Sequence, residues 1–413
     1  DQNIIKCGSY TTDSNEDATV NLGWEPQLLL VKRTDSSTGG DWMIVDSMRG
    51  LPNAQDIQAN AGDCRVLSPN LTSAENNTHR LGLTSTGFYA DQYGANRSFV
   101  YMAIRRPDGA VGKPAEAGTD VFAMDTSNGS TTIPEYDSGF PVDFALKRAP
   151  ASAITWYTTA RLISGKYVRA DTTHVEAANA NYSFDSNVGW AKNGNDSAWQ
   201  SWMWKRHAGF DVVTYKGDGG SDRAIPHSMN KIVEMIWIKR RDTSANWRVY
   251  HIGLGAGTNP QDYALRLNTN SARNVLVDFW GTTAATSSHF KVGYRTDINA
   301  SGSDYIAMLF SSVDGISKCG YYTGDTDTGL REISLGFQPR FLIARNISNN
   351  DWVTLDTTRG WAAGDDKRLR INESNAQDTV QGDWGAPTAT GFTVSPDAGF
   401  NSNGTNYIYY AHA

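Results

Sequence analysis

Apolar residues occur in this chain as short runs bounded by polar turns. The segments 28–31, 235–238 and 341–344 are continuous apolar runs, and each is followed by Lys or Arg and then by a polar turn. Runs this short predict core strands, because a packed helix needs about ten or more residues with apolar positions at 3.6-residue spacing. The next strand, at 42–45 and again at 352–355, is apolar enough on both faces for both to be covered. The pattern predicts an all-β chain with little helix.

The same succession of strands and turns recurs along the chain. The stretch "DWMIVDSMRG" (41–50) returns as "DWVTLDTTRG" (351–360), and each follows a strand that begins "KCGSYTTD" or "KCGYYTGD". More diverged copies lie between them. Four alternating apolar strands close the copies: "RSFVYMAIRR", "AWQSWMWKR", "SDYIAMLF" and "TNYIYYAHA". This self-similarity indicates tandem repeats of about 90 to 115 residues each.

We expect four tandem β-sandwich repeats, jelly-roll-like and about 100 residues long, because short strands recur every eight to twelve residues or so. The closing strands predict repeat 1 at 1–108, a diverged repeat 2 at 119–208, repeat 3 at 209–313 and repeat 4 at 314–413. Residues 109–118, punctuated by Pro and Gly, form the predicted linker. The other junctions are short, which favours a stiff chain of domains.

The charge balance narrows the classes of partner. With 44 acidic and 37 basic residues the net charge is −7, whereas nucleic-acid-binding proteins carry clustered Lys and Arg. No apolar stretch approaches the roughly 18 residues that cross a bilayer. Cys7 and Cys319 hold equivalent places at strand starts, and both are expected to be small buried apolar residues. We therefore expect no nucleic-acid partner, no membrane insertion and no disulfide scaffold.

A carboxylate and a guanidinium recur at the end of the repeated phrase. Asp46 and Arg49 in repeat 1 return as Asp356 and Arg359 in repeat 4. Such a pair can act as an acid–base group or substrate clamp, or it can tie off a turn. Repeat 3 has His251 at the first of the two positions, and repeat 2 has neither charge. Because active sites would hardly be lost in two of four copies, we interpret both pairs as turn ion pairs.

One tryptophan is present at the same place in all four copies: Trp42, Trp156, Trp247 and Trp352. An exposed indole could stack on a sugar ring. A large aromatic residue at one point of every repeat is more often the plug between the two sheets of a sandwich. We therefore predict that these four residues form a buried signature of the repeat.

Other sequence motifs of catalysis are missing. The seven histidines show no metal-ligand spacing, and the chain contains no GxSxG, Walker or dinucleotide-binding motif. The sequence thus predicts no catalytic residue, no cofactor and no metal site. One enzyme class stays open, a polysaccharide depolymerase, which needs two carboxylates about 5 to 9.5 Å apart in a groove.

The ordered phrases of repeat 1, "KCGSYTTD", "LGWEPQLLLVKRTDSSTGGDWMIVDSMRG", "LTSTGFYAD" and "SFVYMAIRR", resemble a repeat module of virion proteins from marine tailed bacteriophages, notably cyanophages. The phrases "GFDVVTYKGDGG" and "NWRVYHIGLG" of repeat 3 resemble it as closely. Repeat 2 departs from the module, with "ITWYTTARLISG" in place of the Asp and Arg turn.

The resemblance implies a non-enzymatic structural protein at the virion surface, in a tail fibre, spike or other appendage. Its implied partners are other virion proteins, further copies of this chain and a host surface glycan. A capsid decoration protein is the first alternative. A secreted lectin-like protein that binds polysaccharide is the second, and it would need several of Trp24, Trp190, Trp199 or Trp280 on a concave surface.

Overall fold

A computed structural model describes residues 3–59, 64–79, 81–91, 93–192, 194, 197–325, 329–383, 385–395 and 400–413. The predicted all-β fold is confirmed, since nearly every regular element is an antiparallel strand. Within the described ranges, two short α-helices occur, α1 (Ala54–Ala59) and α2 (Thr296–Asn299). Four 3₁₀ turns lie at Gly118–Asp120, Arg161–Ile163, Leu254–Gly257 and Pro260–Asp262.

Seventeen strands lie within the described residues of the first half of the chain, and they are grouped by predicted repeat. Those of repeat 1 are β1 (Ile5–Thr11), β2 (Ala18–Asn21), β3 (Pro26–Arg33), β4 (Met43–Asp46), β5 (Cys64–Val66), β6 (Asn76–His79), β7 (Leu81–Thr84), β8 (Gly87–Ala90) and β9 (Ser98–Arg105). Those of repeat 2 are β10 (Phe122–Thr126), β11 (Tyr136–Asp137), β12 (Phe144–Arg148), β13 (Tyr157–Ala160), β14 (Lys166–Arg169), β15 (Ala177–Ala178), β16 (Gly189–Trp190) and β17 (Gln200–Trp204).

The second half continues in the same way. The strands of repeat 3 are β18 (Phe210–Lys216), β19 (Arg223–Pro226), β20 (Met235–Arg240), β21 (Arg248–His251), β22 (Tyr263–Ala264), β23 (Asn274–Val275), β24 (His289–Val292) and β25 (Asp304–Phe310). Those of repeat 4 are β26 (Ser317–Thr323), β27 (Arg331–Ser334), β28 (Phe341–Asn346), β29 (Val353–Asp356), β30 (Asp365–Arg370), β31 (Asp378–Asp383), β32 (Gly391–Val394) and β33 (Asn406–His412).

One strand order recurs four times. The main sheets read β1-β9-β3-β4, β10-β17-β12-β13, β18-β25-β20-β21 and β26-β33-β28-β29, and the sheets of repeats 2 and 4 continue with two further strands each. In every copy the first strand pairs with the last, and the last pairs with the long apolar strand. Smaller sheets accompany them, namely β2-β8-β7, β11-β16, β19-β24 and β27-β32. Each predicted repeat is therefore a two-sheet sandwich.

The long apolar strand of repeats 2 to 4 is buried on both faces. In β28, Leu342 and Ala344 pack within repeat 4, whereas Phe341 and Ile343 point the other way and join a core shared with other repeats. The strands β12 and β20 alternate in the same manner. A strand with two buried faces reads as a continuous apolar run, which is the pattern seen in the sequence.

Repeats 2, 3 and 4 form a closed ring around this shared core, an arrangement that the predicted stiff chain of domains did not specify. Each main sheet turns its second apolar face toward the ring centre, where large side chains from all three repeats are fully buried. The residues at the centre include Phe144, Trp202, Trp204, Trp237, Met308, Phe310, Phe341 and Tyr410. A linear arrangement would have left these faces in water, at a cost of about 25 cal/mol per Å² of apolar surface.

Repeat 1 docks against the ring through a buried ion cluster. Asp56 of α1 pairs with Arg241 at 2.7 Å and with Lys166 at 2.8 Å, and Arg241 also pairs with Glu176 at 2.6 Å. Burial alone would raise the pKa of Asp56, but the charges of Arg241 and Lys166 outweigh burial and hold it below its usual value. The cluster thus joins repeats 1, 2 and 3.

A second buried cluster connects the same three repeats. Arg206 of repeat 2 lies 2.5 Å from Glu25 of repeat 1 and 3.3 Å from Asp211 of repeat 3. Arg106 lies 3.4 Å from both carboxylates. The linker follows directly and rests on repeat 3, because a side chain at Gly109 would start only 2.1 Å from a carbonyl oxygen of repeat 3. The linker is thus fixed in place by its contact with repeat 3.

Removal of one charge from the first cluster should destabilise the fold strongly. Asp56→Asn leaves Arg241 buried with half of its carboxylate partners, and we expect the free energy of unfolding to fall by about 3–5 kcal/mol. The measurement is urea denaturation followed by tryptophan fluorescence. Asp242→Asn is the matched control, because Asp242 pairs with Arg240 near the surface, where an ion pair contributes about 0–1 kcal/mol. Equal losses in the two variants would contradict the assignment.

Candidate functional site

The ring contacts bring together the tryptophans that the sequence singles out. The strand registers place Trp156, Trp247 and Trp352 at one equivalent position, directly before the strand that pairs with the long apolar strand. All three are buried in the shared core. Each donates its indole N–H to a backbone carbonyl of the next repeat: Trp156 to Arg370 at 2.8 Å, Trp352 to Arg266 at 2.8 Å and Trp247 to Arg169 at 2.7 Å.

Two further sets of hydrogen bonds repeat at each contact. A cation at the end of each long strand donates to backbone carbonyls of the neighbour: Arg148 to Glu373 and Asn375, Arg345 to Thr269, Asn270 and Ser271, and Lys239 to Thr173. A backbone amide also crosses each contact: Gln377 to Pro150 at 2.7 Å, Arg273 to Ile347 at 3.0 Å and Glu176 to Arg241 at 3.1 Å. The three contacts are therefore equivalent, and the ring has an internal pseudo-three-fold arrangement.

The predicted role of the tryptophans needs two corrections. They were expected to plug the space between the two sheets of their own sandwich, but Trp156, Trp247 and Trp352 lie between repeats, on the opposite face of the main sheet. Trp42 was expected to be buried, but it is 37% exposed. The physical reason is the same in both cases, because the plug needs a neighbouring repeat and repeat 1 is not a member of the ring.

The turn pairs in repeats 1 and 4 have the same local geometry. Arg49 Nε lies 2.7 Å from Asp46 Oδ2, and Arg359 Nε lies 2.6 Å from Asp356 Oδ2. In both turns the backbone amide of the arginine donates to the other carboxylate oxygen at 2.9 Å. The arginine also caps a carbonyl of the preceding strand, that of Ile44 in repeat 1. Within one turn the carboxylate is thus held by backbone and guanidinium donors.

The two pairs differ in what surrounds them. Asp356 is fully buried and also accepts the indole N–H of Trp202 from repeat 2 at 3.0 Å. Arg49 instead reaches Glu75 of its own repeat at 3.1 Å, and both side chains are partly exposed. The repeat 4 pair therefore belongs to the ring contact, whereas the repeat 1 pair stabilises a surface turn.

In repeat 3 the position of the aspartate is occupied by a buried histidine. His251 lies 3.0 Å from the carbonyl oxygen of Tyr409 in repeat 4, and its other ring nitrogen accepts the amide of Gly253 at 2.9 Å. Burial lowers the pKa of His251 to about 4. Two more buried histidines, His207 and His412, have their pKa lowered to about 3 by burial. The fold therefore holds these imidazoles in their neutral form.

The tryptophans named for sugar binding do not form an open platform. Trp24, Trp190 and Trp280 are at most 3% exposed. Lys147 lies over the ring of Trp199 at 4.1 Å from its centroid. Trp280 lines a pocket of about 350 Å³ in repeat 3, but its side chain is only 3% exposed.

Neither a metal-binding cluster nor a membrane-spanning helix is found among the described residues. No group of three or more His, Cys, Asp or Glu side chains among them is placed to hold a metal ion. None of the helices in the described ranges is long and apolar enough to cross a membrane.

Sequence reasoning missed the ring cations Arg148, Lys239 and Arg345. Their signal was present, because each follows the apolar run of the long strand. A Lys or Arg at that place looks like the end of a strand that enters solvent. The partners are carbonyl groups of another repeat, and carbonyls have no sequence signature.

A family model described as "Domain of unknown function (DUF7483)" matches residues 3–106 and 164–413, and the chain therefore belongs to that family. The interval between the two matched segments contains the linker and the first half of repeat 2. Repeat 2 is also the most diverged of the four copies by sequence. No curated protein matches the chain.

Loss of one indole N–H in the ring should be measurable. Trp247→Phe keeps an aromatic ring but leaves the carbonyl of Arg169 without its buried donor, which costs about 1–3 kcal/mol. Trp237→Phe is the matched control, because the buried indole N–H of Trp237 has no acceptor among the described residues. Urea denaturation should show a larger loss for Trp247→Phe. The assignment fails if the two losses agree within error.

Acid should weaken the fold through its neutral histidines. The unfolded chain binds a proton at His251 below pH about 6.5, whereas the folded chain does so only near the lowered pKa of about 4. The contribution of neutral His251 to the free energy of unfolding is therefore fully present above pH 6.5. It is lost as the pH falls toward 4, by about 1.4 kcal/mol per pH unit. His251→Gln should reduce the difference in unfolding free energy between pH 7.5 and pH 4.5, whereas His174→Gln, at an exposed position, should not. An unchanged difference in His251→Gln would refute this origin of the acid sensitivity.

Proposed function

We propose that the chain is a non-enzymatic structural protein of a tailed-bacteriophage virion, carried at the particle surface in a tail fibre, spike or other appendage. The first support is the resemblance of its repeat phrases to a module of marine phage virion proteins. In this role its partners are other virion proteins, further copies of itself and a glycan of the host surface. The proposal includes no cofactor.

The observation that carries the proposal is the interlocking of three repeats through one core. Indole and cationic donors of each repeat end on backbone carbonyls of the next, and these bonds lie in a buried interface. Backbone acceptors cannot rotate away as side-chain acceptors can, so each contact has a fixed geometry. Such a body resists shear between its domains, which is the mechanical property that a virion appendage requires.

The contact between repeat 1 and the ring also supports a rigid structural role. Two buried ion clusters hold it to the ring, each with charges from three repeats. Inter-domain contacts that permit motion are usually small and wet. A contact with several buried charges opposes opening, because each separated charge would have to find a new partner. The chain is therefore built as one rigid block.

The test is localisation on purified particles of the phage whose genome encodes the chain. We expect peptides of the chain in the particles by mass spectrometry, and gold-labelled antibodies against the chain at the tail or its appendages in electron micrographs. Label on the capsid shell would favour a decoration protein. Absence of the chain from washed particles would refute a virion role.

A second readout addresses the non-enzymatic part. Purified chain is incubated with capsular or lipopolysaccharide glycans of the host, and released reducing ends are measured. We expect none above a heat-denatured control. Release that persists with highly purified chain would show a depolymerase and overturn that part of the proposal.

A further inference from the structure

Repeat 1 exposes the face that the other three repeats bury. We call the "open face" the side of sheet β1-β9-β3-β4 that carries Leu28, Leu30, Trp42, Val100, Met102 and Ile104. Val100 is 38% exposed, Trp42 is 37% exposed, and the other four are partly exposed. Ile5, on the neighbouring edge strand, is 53% exposed. Large apolar residues side by side on a surface mark an interaction site more often than scattered ones do.

The strand registers identify this face with the ring-facing side of the other repeats. Leu30 pairs across the sheet with Met102, as Leu146 does with Trp202, Trp237 with Met308 and Ile343 with Tyr410. All six of the corresponding residues in repeats 2 to 4 are at most 1% exposed. The open face is therefore the one copy of the ring face that has no partner repeat within the described chain.

The donor side of the ring contact is already assembled in repeat 1. The amide of Trp42 is held by Asn70 at 3.0 Å, as the amides of Trp247 and Trp352 are held by Asn268 and Asn372 at 3.0 and 2.8 Å. Asn70 is in turn braced on Asp41 at 2.8 Å, and Asn372 on Asp351 at the same distance. The indole of Trp42 is thus positioned like those that cross a ring contact.

The cation at the end of the long strand is also present. Lys239 donates both to Ala245 of its own repeat and to Thr173 of the neighbour. Lys32, at the same register position in β3, donates to the equivalent Gly40 of its own repeat. Lys32 therefore makes the same hydrogen bond within its own repeat as Lys239 does. The second hydrogen bond, to a carbonyl of a neighbouring repeat, needs a partner that repeat 1 lacks within the described chain.

The acceptor side is present on the same repeat. Leu67 pairs with Ile44 as Leu369 pairs with Thr354 and Leu265 with Val249. Ser68 is therefore the equivalent of Arg370 and Arg266, whose backbone carbonyls accept the indole N–H groups in the ring. Residues 71–75 follow as an exposed loop in the place of the acceptor loops of the ring. Donor and acceptor lie at different places on one repeat, so the contact is head-to-tail.

A head-to-tail contact closes as a ring or grows as a filament, according to its rotation. In this chain the same contact closes after three repeats. We infer that three copies of this chain associate through their open faces, each repeat 1 taking the place that one of repeats 2, 3 and 4 has in the internal ring. In this trimer Trp42 donates to the Ser68 carbonyl of the next copy, and Lys32 donates to carbonyls of its loop 71–75.

The inference does not rest on the virion proposal, because a trimer in solution would stand wherever the protein acts. The first measurement is the mass of the full chain by sedimentation equilibrium and native mass spectrometry. We expect about three times the 45.2 kDa of one chain. A monomer at concentrations up to about 100 μM, where even weak specific association is visible, would overturn the inference. A dimer would overturn it as well, since the contact predicts three-fold closure.

Two variants locate the interface. Val100→Glu places a charge on the open face at a residue that is already exposed, so the fold should survive and the mass should fall to that of one chain. Val175→Glu is the matched control, because Val175 is 44% exposed in repeat 2 and lies outside the open face. Trp42→Phe keeps an aromatic ring but removes the indole N–H, and it should raise the dissociation constant about tenfold. A trimer that persists in Val100→Glu would show that another surface is used.

Thiol reactivity gives an independent readout. Cys7 pairs with Met102 across the sheet and is exposed, whereas Cys64 and Cys319 are buried. In the trimer the open face is covered, so Cys7 should react slowly with a maleimide in the parent chain and rapidly in Val100→Glu. Equal rates in the two proteins would contradict coverage of this face. The same exposure of Cys7 corrects the expectation that it is buried like Cys319.

Discussion

The architecture depends on one constraint, which is that the main sheet of each repeat is apolar on both faces while its own smaller sheet covers only one. The second apolar face must be covered by another part of the structure, and in repeats 2, 3 and 4 the three second faces pack against one another. Phe341 and Ile343 of β28 show this directly, because their neighbours Leu342 and Ala344 face the sandwich of repeat 4. The ring, the buried tryptophans and the interlocking bonds all follow from this surplus of apolar surface.

A ring core closed in this way has to accommodate its polar groups. The cations at its rim end on backbone carbonyls of the neighbour, so no carboxylate has to be buried beside them. Burial lowers the pKa of Arg148 and Arg345 to about 10 and that of Lys239 to about 8. The two guanidinium groups stay charged at neutral pH, and each also lies over the ring of its own signature tryptophan, Trp156 or Trp352. The tryptophan and the cation thus form one unit of recognition between repeats.

Much of this could be predicted from the sequence, and the part that could not is long-range. The strands and the equivalence of the tryptophans follow from local pattern, because "DWMIVDSMRG" and "DWVTLDTTRG" fix their own register. The face of the sheet on which Trp352 lies cannot be predicted from that pattern, because a large aromatic residue suits the core of a sandwich and the core of the ring equally well. The ring itself depends on which apolar faces contact each other. The ring centroids of Phe341 and Phe122, which belong to different repeats, lie 5.1 Å apart although 219 positions separate the two residues in the sequence. The short helix α1 was missed because its stabilising contacts, such as Asp56 with Arg241, are also made between repeats.

Repeat 2 shows what the ring contact requires and what it tolerates. It is the most diverged copy, and its turn has Ala160 in the place of Asp356, yet it retains Trp156 and Arg148 at the contact. Its long strand even carries Lys147 toward its own sandwich, where the ammonium lies over Trp199. Divergence has therefore affected the turn and the sandwich core of repeat 2 more than the surface by which repeat 2 contacts repeats 3 and 4. By that comparison, the presence of both Trp42 and Lys32 on repeat 1, outside the ring, is best explained by a contact that they still make.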